Sequence, residues 1–168
     1  NLVLAFAGTV TQHTGTVAIT GAHNLAQLKA INEASTGQIT LNDYTVDLSG
    51  SSVDVAAALS GSFADTYSGN ITLTDAPTVA QLVTINGNQT GAITLNVANG
   101  ALSGSAANLV LAFAGTVTQH TGTVALTDAP SVAQLVTINA ATTGAITLGV
   151  TNGALSGSAA NLVLAFAG

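Results

Sequence analysis

An eight-residue string, NLVLAFAG, stands at residues 1–8, 108–115 and 161–168, the later two copies lying 53 residues apart. A complete unit separates those two copies, and diverged versions of it account for everything else. Residues 1–54, 55–107 and 108–160 read as three repeats, and 161–168 as the start of a fourth. A chain that is all repeat has to stack its units so that each covers the hydrophobic face of its neighbour. The expected organisation is therefore a single array over residues 1–168. Because the chain opens and closes on the same octapeptide inside a repeat, the array reads as a window of a longer one.

Composition narrows the classes of partner. Hydrophobic residues make up 48% of the chain and charged residues only 5%, the reverse of the balance that keeps a chain disordered. With Lys29 as its one basic residue, counting Lys and Arg together, the chain cannot neutralise a nucleic-acid backbone or an anionic membrane surface. Cys is absent, which removes disulfides and thiolate metal sites. The longest apolar run, residues 2–7 and its copies, is less than half of a membrane span, so membrane insertion is not expected. Nor does the first segment carry the basic region of a signal peptide.

Within each repeat a Thr-Gly or Ser-Gly marker precedes an alternating apolar segment. The markers begin at Thr14, Thr36, Ser68, Thr90, Thr121 and Thr143, at intervals of 22, 32, 22, 31 and 22 residues. Each repeat thus holds a short and a long subunit. Residues 16–20, 70–74 and 123–127 in the short subunits, and 39–41, 93–95 and 146–148 in the long ones, alternate with period two and predict strands. Residues 128–139 then change period, with Val132, Leu135, Val136 and Ile138 at roughly helical spacing and Asp128-Ala-Pro130 as a helix start. Residues 54–59 and 105–114 are the second helix candidates. The expected fold is an α/β repeat solenoid with parallel strands, short helices, right-handed crossovers and about 53 residues per βαβα repeat. The alternative is an all-β solenoid in which the NLVLAFAG segments are strands.

Positions that recur in every repeat are candidates for stacking, whereas an active site needs its residues only once. Gln27, Gln81 and Gln134 recur, as do Asn32, Asn86 and Asn139, all polar positions inside apolar helices. They predict an amide ladder satisfying backbone groups at each turn, in preference to a row of ligand contacts. His13 and His120 share a place that Tyr67 takes in the middle repeat, an exchange a metal site would not tolerate. His23 stands where Pro77 and Pro130 do and is expected to be structural. Asp43, Asp47, Asp54 and Asp65 are the candidate calcium ligands, but the next repeat has Val97, Ala101, Asn108 and Thr118 there, and the GGxGxDxUx nonapeptide is missing. Cofactors are otherwise expected to be none. Asp75 and Asp128 read as helix caps, with Gly21 in the equivalent place. Asn70-Ile-Thr72 and Asn88-Gln-Thr90 match the glycosylation sequon by composition alone. Outward from the strands point Ala18, Thr40, Thr72, Thr94, Ala125 and Thr147, a file of small uncharged residues and the expected assembly face.

The strings LTDAPTVAQLVTINGNQTGAITL and LTDAPSVAQLVTINAATTGAITL, followed by NGALSGSAANL, resemble the Ala/Thr/Gly-rich tandem repeats of very large bacterial cell-surface and secreted proteins, cyanobacterial ones especially. The resemblance covers nearly the whole chain and carries no catalytic residue with it. It implies an extracellular or cell-surface location and a structural or adhesive role. The expectation is a non-enzymatic structural protein whose partners are copies of itself, joined end to end or laterally. An adhesin, with an ice, glycan or other surface ligand, is the alternative, and an enzyme acting through the Asp43 to Asp65 cluster the third reading.

Overall fold

The computed structural model describes Ala5 and residues 12–167. All six markers lead into strands. In the short subunits these are β1 (Val17–Ile19), β4 (Ile71–Leu73) and β7 (Val124–Leu126), and in the long ones β2 (Ile39–Leu41), β5 (Ile93–Leu95) and β8 (Ile146–Leu148). Helices α1 (Leu25–Ala34), α3 (Val79–Asn88) and α5 (Val132–Ala141) follow the short-subunit strands, and α2 (Ser52–Leu59), α4 (Ala106–Ala112) and α6 (Ala159–Ala165) close the long subunits. Both described copies of the octapeptide are helical at 108–112 and 161–165, which overturns the all-β alternative. Of the first copy only Ala5 lies within the described residues.

Two further strands break the expected βαβα order. Leu48-Ser-Gly50 forms β3 (Leu48–Gly50) and Leu102-Ser-Gly104 forms β6 (Leu102–Gly104), so a long subunit reads ββα. The consequence among the described residues is three small parallel sheets, ordered β1-β2, β3-β4-β5 and β6-β7-β8, in place of the one sheet expected. The step along each ladder is nearly constant, Val17 to Ile39, Leu48 to Ile71, Ile71 to Ile93, Leu102 to Val124 and Val124 to Ile146. The longer marker interval is absorbed by the extra strand, which hands the ladder sideways to a new sheet in each repeat. Single bridges from Ile39 to Phe63 and from Ile93 to Val117 extend the first strand of each of these long subunits across that shift.

Strand alternation sends Ile39, Ile71, Leu73, Ile93 and Val124 inward against Leu28, Leu59, Leu82, Ile85, Leu109 and Ile138 of the helices, all buried in one cluster. Each helix packs against the next in sequence. Helices of ten residues or fewer do not persist alone in water, and each such burial stabilises by about 1.5–3 kcal/mol, so packing holds them in place.

The markers are glycines because adjacent turns touch there. A Cβ on Gly37 would strike the Gly15 carbonyl, one on Gly91 the Gly69 carbonyl and one on Gly144 the Gly122 carbonyl, each closer than real Cβ atoms come. Gly69 and Gly122 sit equally tightly on the backbone of Val46 and of Asn99 and Gly100. The sequence signal that divides the repeats is thus the contact that lets one turn lie on another.

Candidate assembly surfaces

The helix ends are tied by side chains from neighbouring turns. Asn32 Nδ2 donates to the Ala57 carbonyl at 2.6 Å and to Ser60 Oγ at 3.0 Å. Asn86 Nδ2 donates to the Leu111 and Ala112 carbonyls at 3.3 and 2.8 Å, and Asn139 Nδ2 to the Leu164 and Ala167 carbonyls at 2.9 and 2.8 Å. Each asparagine therefore donates to carbonyls at or just beyond the end of the following helix, where the Ala57 and Leu111 carbonyls accept from Ser60 Oγ and the Ala114 amide as well. The glutamines act within their own helix. Gln27, Gln81 and Gln134 are the N3 members of capping boxes whose N-caps are Asn24, Thr78 and Ser131. No amide-to-amide bond joins either row among the described residues; the amides bond to backbone, with added contacts to the hydroxyls of Ser52, Ser60 and Thr78.

Asp75 and Asp128 do not cap the helices they precede. Asp75 Oδ1 accepts the Ser52 amide and Asp128 Oδ1 the Ala106 amide, both at 2.7 Å, so each satisfies the first turn of the helix one turn back. Pro77 and Pro130 lie just before the N-caps and are buried. The position shared by His120 and Tyr67 is also a tie between turns. His120 Nε2 lies 2.7 Å from the Gly100 carbonyl and Tyr67 OH donates to the equivalent Val46 carbonyl, which explains why imidazole and phenol exchange there. Burial, with Asp43 and Asp47 nearby, pushes the Tyr67 hydroxyl up to about 12. His23 Nε2 meets that hydroxyl at 3.4 Å, and desolvation holds its pKa below 6.5 against a smaller opposing pull from Asp43.

The four candidate calcium ligands have separate partners. Asp43 accepts from the Thr45 amide and hydroxyl, Asp47 from the Asn70 amide, Asp65 from the Thr66 amide, and Asp54 pairs with Lys29 at 2.6 Å and Ser51 at 2.8 Å. Among the described residues no three His, Asp or Glu side chains converge on a point where a metal could sit.

On the outward side of the sheets, Ala18 is in register with Thr40, Thr72 with Thr94, and Ala125 with Thr147. The file is not continuous, however. Ser49 pairs with Thr72 and Ser103 with Ala125, so each sheet shift breaks the row between Thr40 and Thr72 and between Thr94 and Ala125. The extra serines keep the face small and uncharged. Ala18, Thr40, Thr94 and Thr147 are exposed, Thr72 and Ala125 half-buried. The single lysine is elsewhere, on α1, between Glu33 and Asp54.

The last described turn is less covered than its copy in the preceding repeat. Phe166 is 60% exposed where its copy Phe113 is 8% exposed, and Ile146 and Leu148 are half-buried where Ile93 and Leu95 are buried. Leu135, Ile146, Leu148, Ala165 and Phe166 line an open groove of about 690 Å³ at this end. A second groove, of about 860 Å³, runs between α1 and the β3 region past His23, Lys29 and Asp54. No protein-family model matches the chain, and no curated protein or solved structure matches it either. Among the described residues no helix is long and apolar enough to cross a membrane.

Proposed function

We propose that this chain is a non-enzymatic structural repeat protein: an α/β solenoid that assembles with copies of itself into an extracellular filament, sheath or surface layer. The observation that carries the reading is the uncharged, Thr/Ser/Ala outward face of the sheets. Natural sheets guard such surfaces with charge, and an unguarded one invites association. Supporting it, the recurrent asparagines and glutamines serve contacts within or between turns. The resemblance to repeats of large bacterial surface proteins accounts for the proposed location. Light scattering of the purified chain across a concentration series tests the proposal. Growth into large, elongated particles is expected, and Thr94→Lys with Thr147→Lys should weaken lateral packing while leaving the circular dichroism of the fold unchanged. A chain that stays monomeric at high concentration removes the reading, and the adhesin alternative takes its place.

A further inference from the structure

The pair Asn-Gly occurs at residues 86–87, 99–100 and 152–153, and the fold puts the first two in opposite settings. Asn86 and Gly87 lie inside α3, where the Gly87 amide belongs to the helix and Asn86 Nδ2 is held by the Leu111 and Ala112 carbonyls. Asn99 is exposed in the turn between β5 and β6. Among the described residues no protein group bonds its side chain or accepts from the Gly100 amide. The backbone of this turn nevertheless carries a joint to the next one. The Ala98 carbonyl accepts the Thr121 amide at 2.8 Å, the Gly100 carbonyl lies 2.7 Å from His120 Nε2, and a Cβ on Gly122 would strike the Asn99 and Gly100 carbonyls. In the first repeat the equivalent pair is Thr45-Val46, with Tyr67 OH on the Val46 carbonyl.

We propose that Asn99-Gly100 is a site of spontaneous covalent modification, at which the Asn99 side chain deamidates through a cyclic imide and the joint to the following turn loosens. The Gly100 amide nitrogen gives its proton to solvent base and attacks Asn99 Cγ. The new N–Cγ bond closes a five-membered ring, and the Cγ–Nδ2 bond breaks with ammonia as the leaving group. Glycine favours the attack because no Cβ crowds the nitrogen. Water then opens the imide at either carbonyl, with no change of oxidation state. Opening at the side-chain carbonyl gives aspartate, which sets a negative charge beside a joint made of carbonyls. Opening at the main-chain carbonyl gives isoaspartate, in which the chain runs through the former side chain and is one methylene longer. That product moves the Gly100 carbonyl off His120 and alters the seat of Gly122. Asn86 is protected from the same reaction, since ring closure there requires Gly87 to leave the helix and Asn86 to give up two carbonyls.

The test is incubation of the chain in mildly alkaline buffer, folded and in urea, with converted residues located by tandem mass spectrometry of chymotryptic peptides, which distinguishes aspartate from isoaspartate. In the folded protein Asn99 should convert at a rate close to that in urea. Asn86 should convert more than about tenfold more slowly folded than in urea, because ring closure waits on local opening of α3. Hydrogen-exchange protection at the Thr121 amide should fall as isoaspartate accumulates. Asn99→Thr, which installs the residue of the first repeat, should keep that protection through the same incubation. Equal folded-state rates at Asn99 and Asn86, or an Asn99 slowed by folding as much as Asn86, overturns the modification site. Conversion at Asn99 that leaves Thr121 as protected as in Asn99→Thr overturns the loosened joint.

Discussion

Asn86 and Asn139 make nearly the same pair of bonds in different surroundings, which allows the inter-turn tie to be weighed. Asn86 Nδ2 reaches the carbonyl of Ala112, a fully buried residue, at 2.8 Å, and its second bond, to the Leu111 carbonyl, is longer and exposed. Asn86→Ala leaves the Ala112 carbonyl without a donor in a place water reaches poorly, and the cost of stranding such a group is about 1–3 kcal/mol. Asn139 serves α6, where Leu164 is 53% exposed and Ala167 is exposed, so water replaces the lost amide. The expected loss there is the net value of an ordinary hydrogen bond, about 0.5–1.5 kcal/mol. Asn86→Asp should be worse than Asn86→Ala, because it turns a carboxylate toward the negative end of α4. Urea unfolding at low protein concentration gives the two differences, and hydrogen exchange at the end of α4 shows whether the loss is local. Equal losses at the two positions, or a larger one at Asn139, would refute the account of the asparagines as burial-dependent caps.

Further outcomes follow from the glycines and the titratable groups. Gly91→Ala should strongly disrupt the stack because its Cβ meets the Gly69 carbonyl, whereas Gly87→Ala, with open space around it and a helical position, should stabilise by about 0.8–1.0 kcal/mol in thermal or urea unfolding. Tyr67 has a folded pKa raised from 10.0 to about 12, so its contribution is complete below pH 10 and is lost as pH climbs through that window; an unfolding series in Tyr67→Phe should lack this alkaline loss. His23 shifts the other way. Its folded pKa lies below 6.5, so stability is full above 6.5 and falls as the pH drops beneath it, and His23→Gln should flatten that slope.

Much of the fold was legible because repetition aligns the chain with itself. The six markers each lead into a strand, since period-two alternation at residues 16–20 or 93–95 fits no other element, and parallel pairing follows when strands alternate with helices. The strands at 48–50 and 102–104 were not legible. Leu-Ser-Gly has one apolar residue and no alternation, and the string does not specify a strand by itself: at 59–61 it ends α2, and at 155–157 it is neither helix nor strand. For the same reason the outward file could not be seen to break. The amide rows were visible, but their separate duties depended on geometry. The glutamine boxes carry a readable signal, Asn24, Thr78 or Ser131 followed three residues later by Gln, which places the helix start after the Asp-Ala-Pro string instead of at it. The tasks of Asp75 and Asp128 on the preceding helix involve residues 22 or 23 positions away and leave no local mark.

The central claim is that copies of this chain associate through the uncharged outward face of the sheets. Sedimentation velocity of the unmodified protein beside Thr94→Lys/Thr147→Lys, over one concentration series, tests it most directly. The account predicts sedimentation coefficients that climb with concentration in the unmodified protein and climb much less in the variant. Particles that remain single at high concentration in both, or equal growth in both, would contradict it.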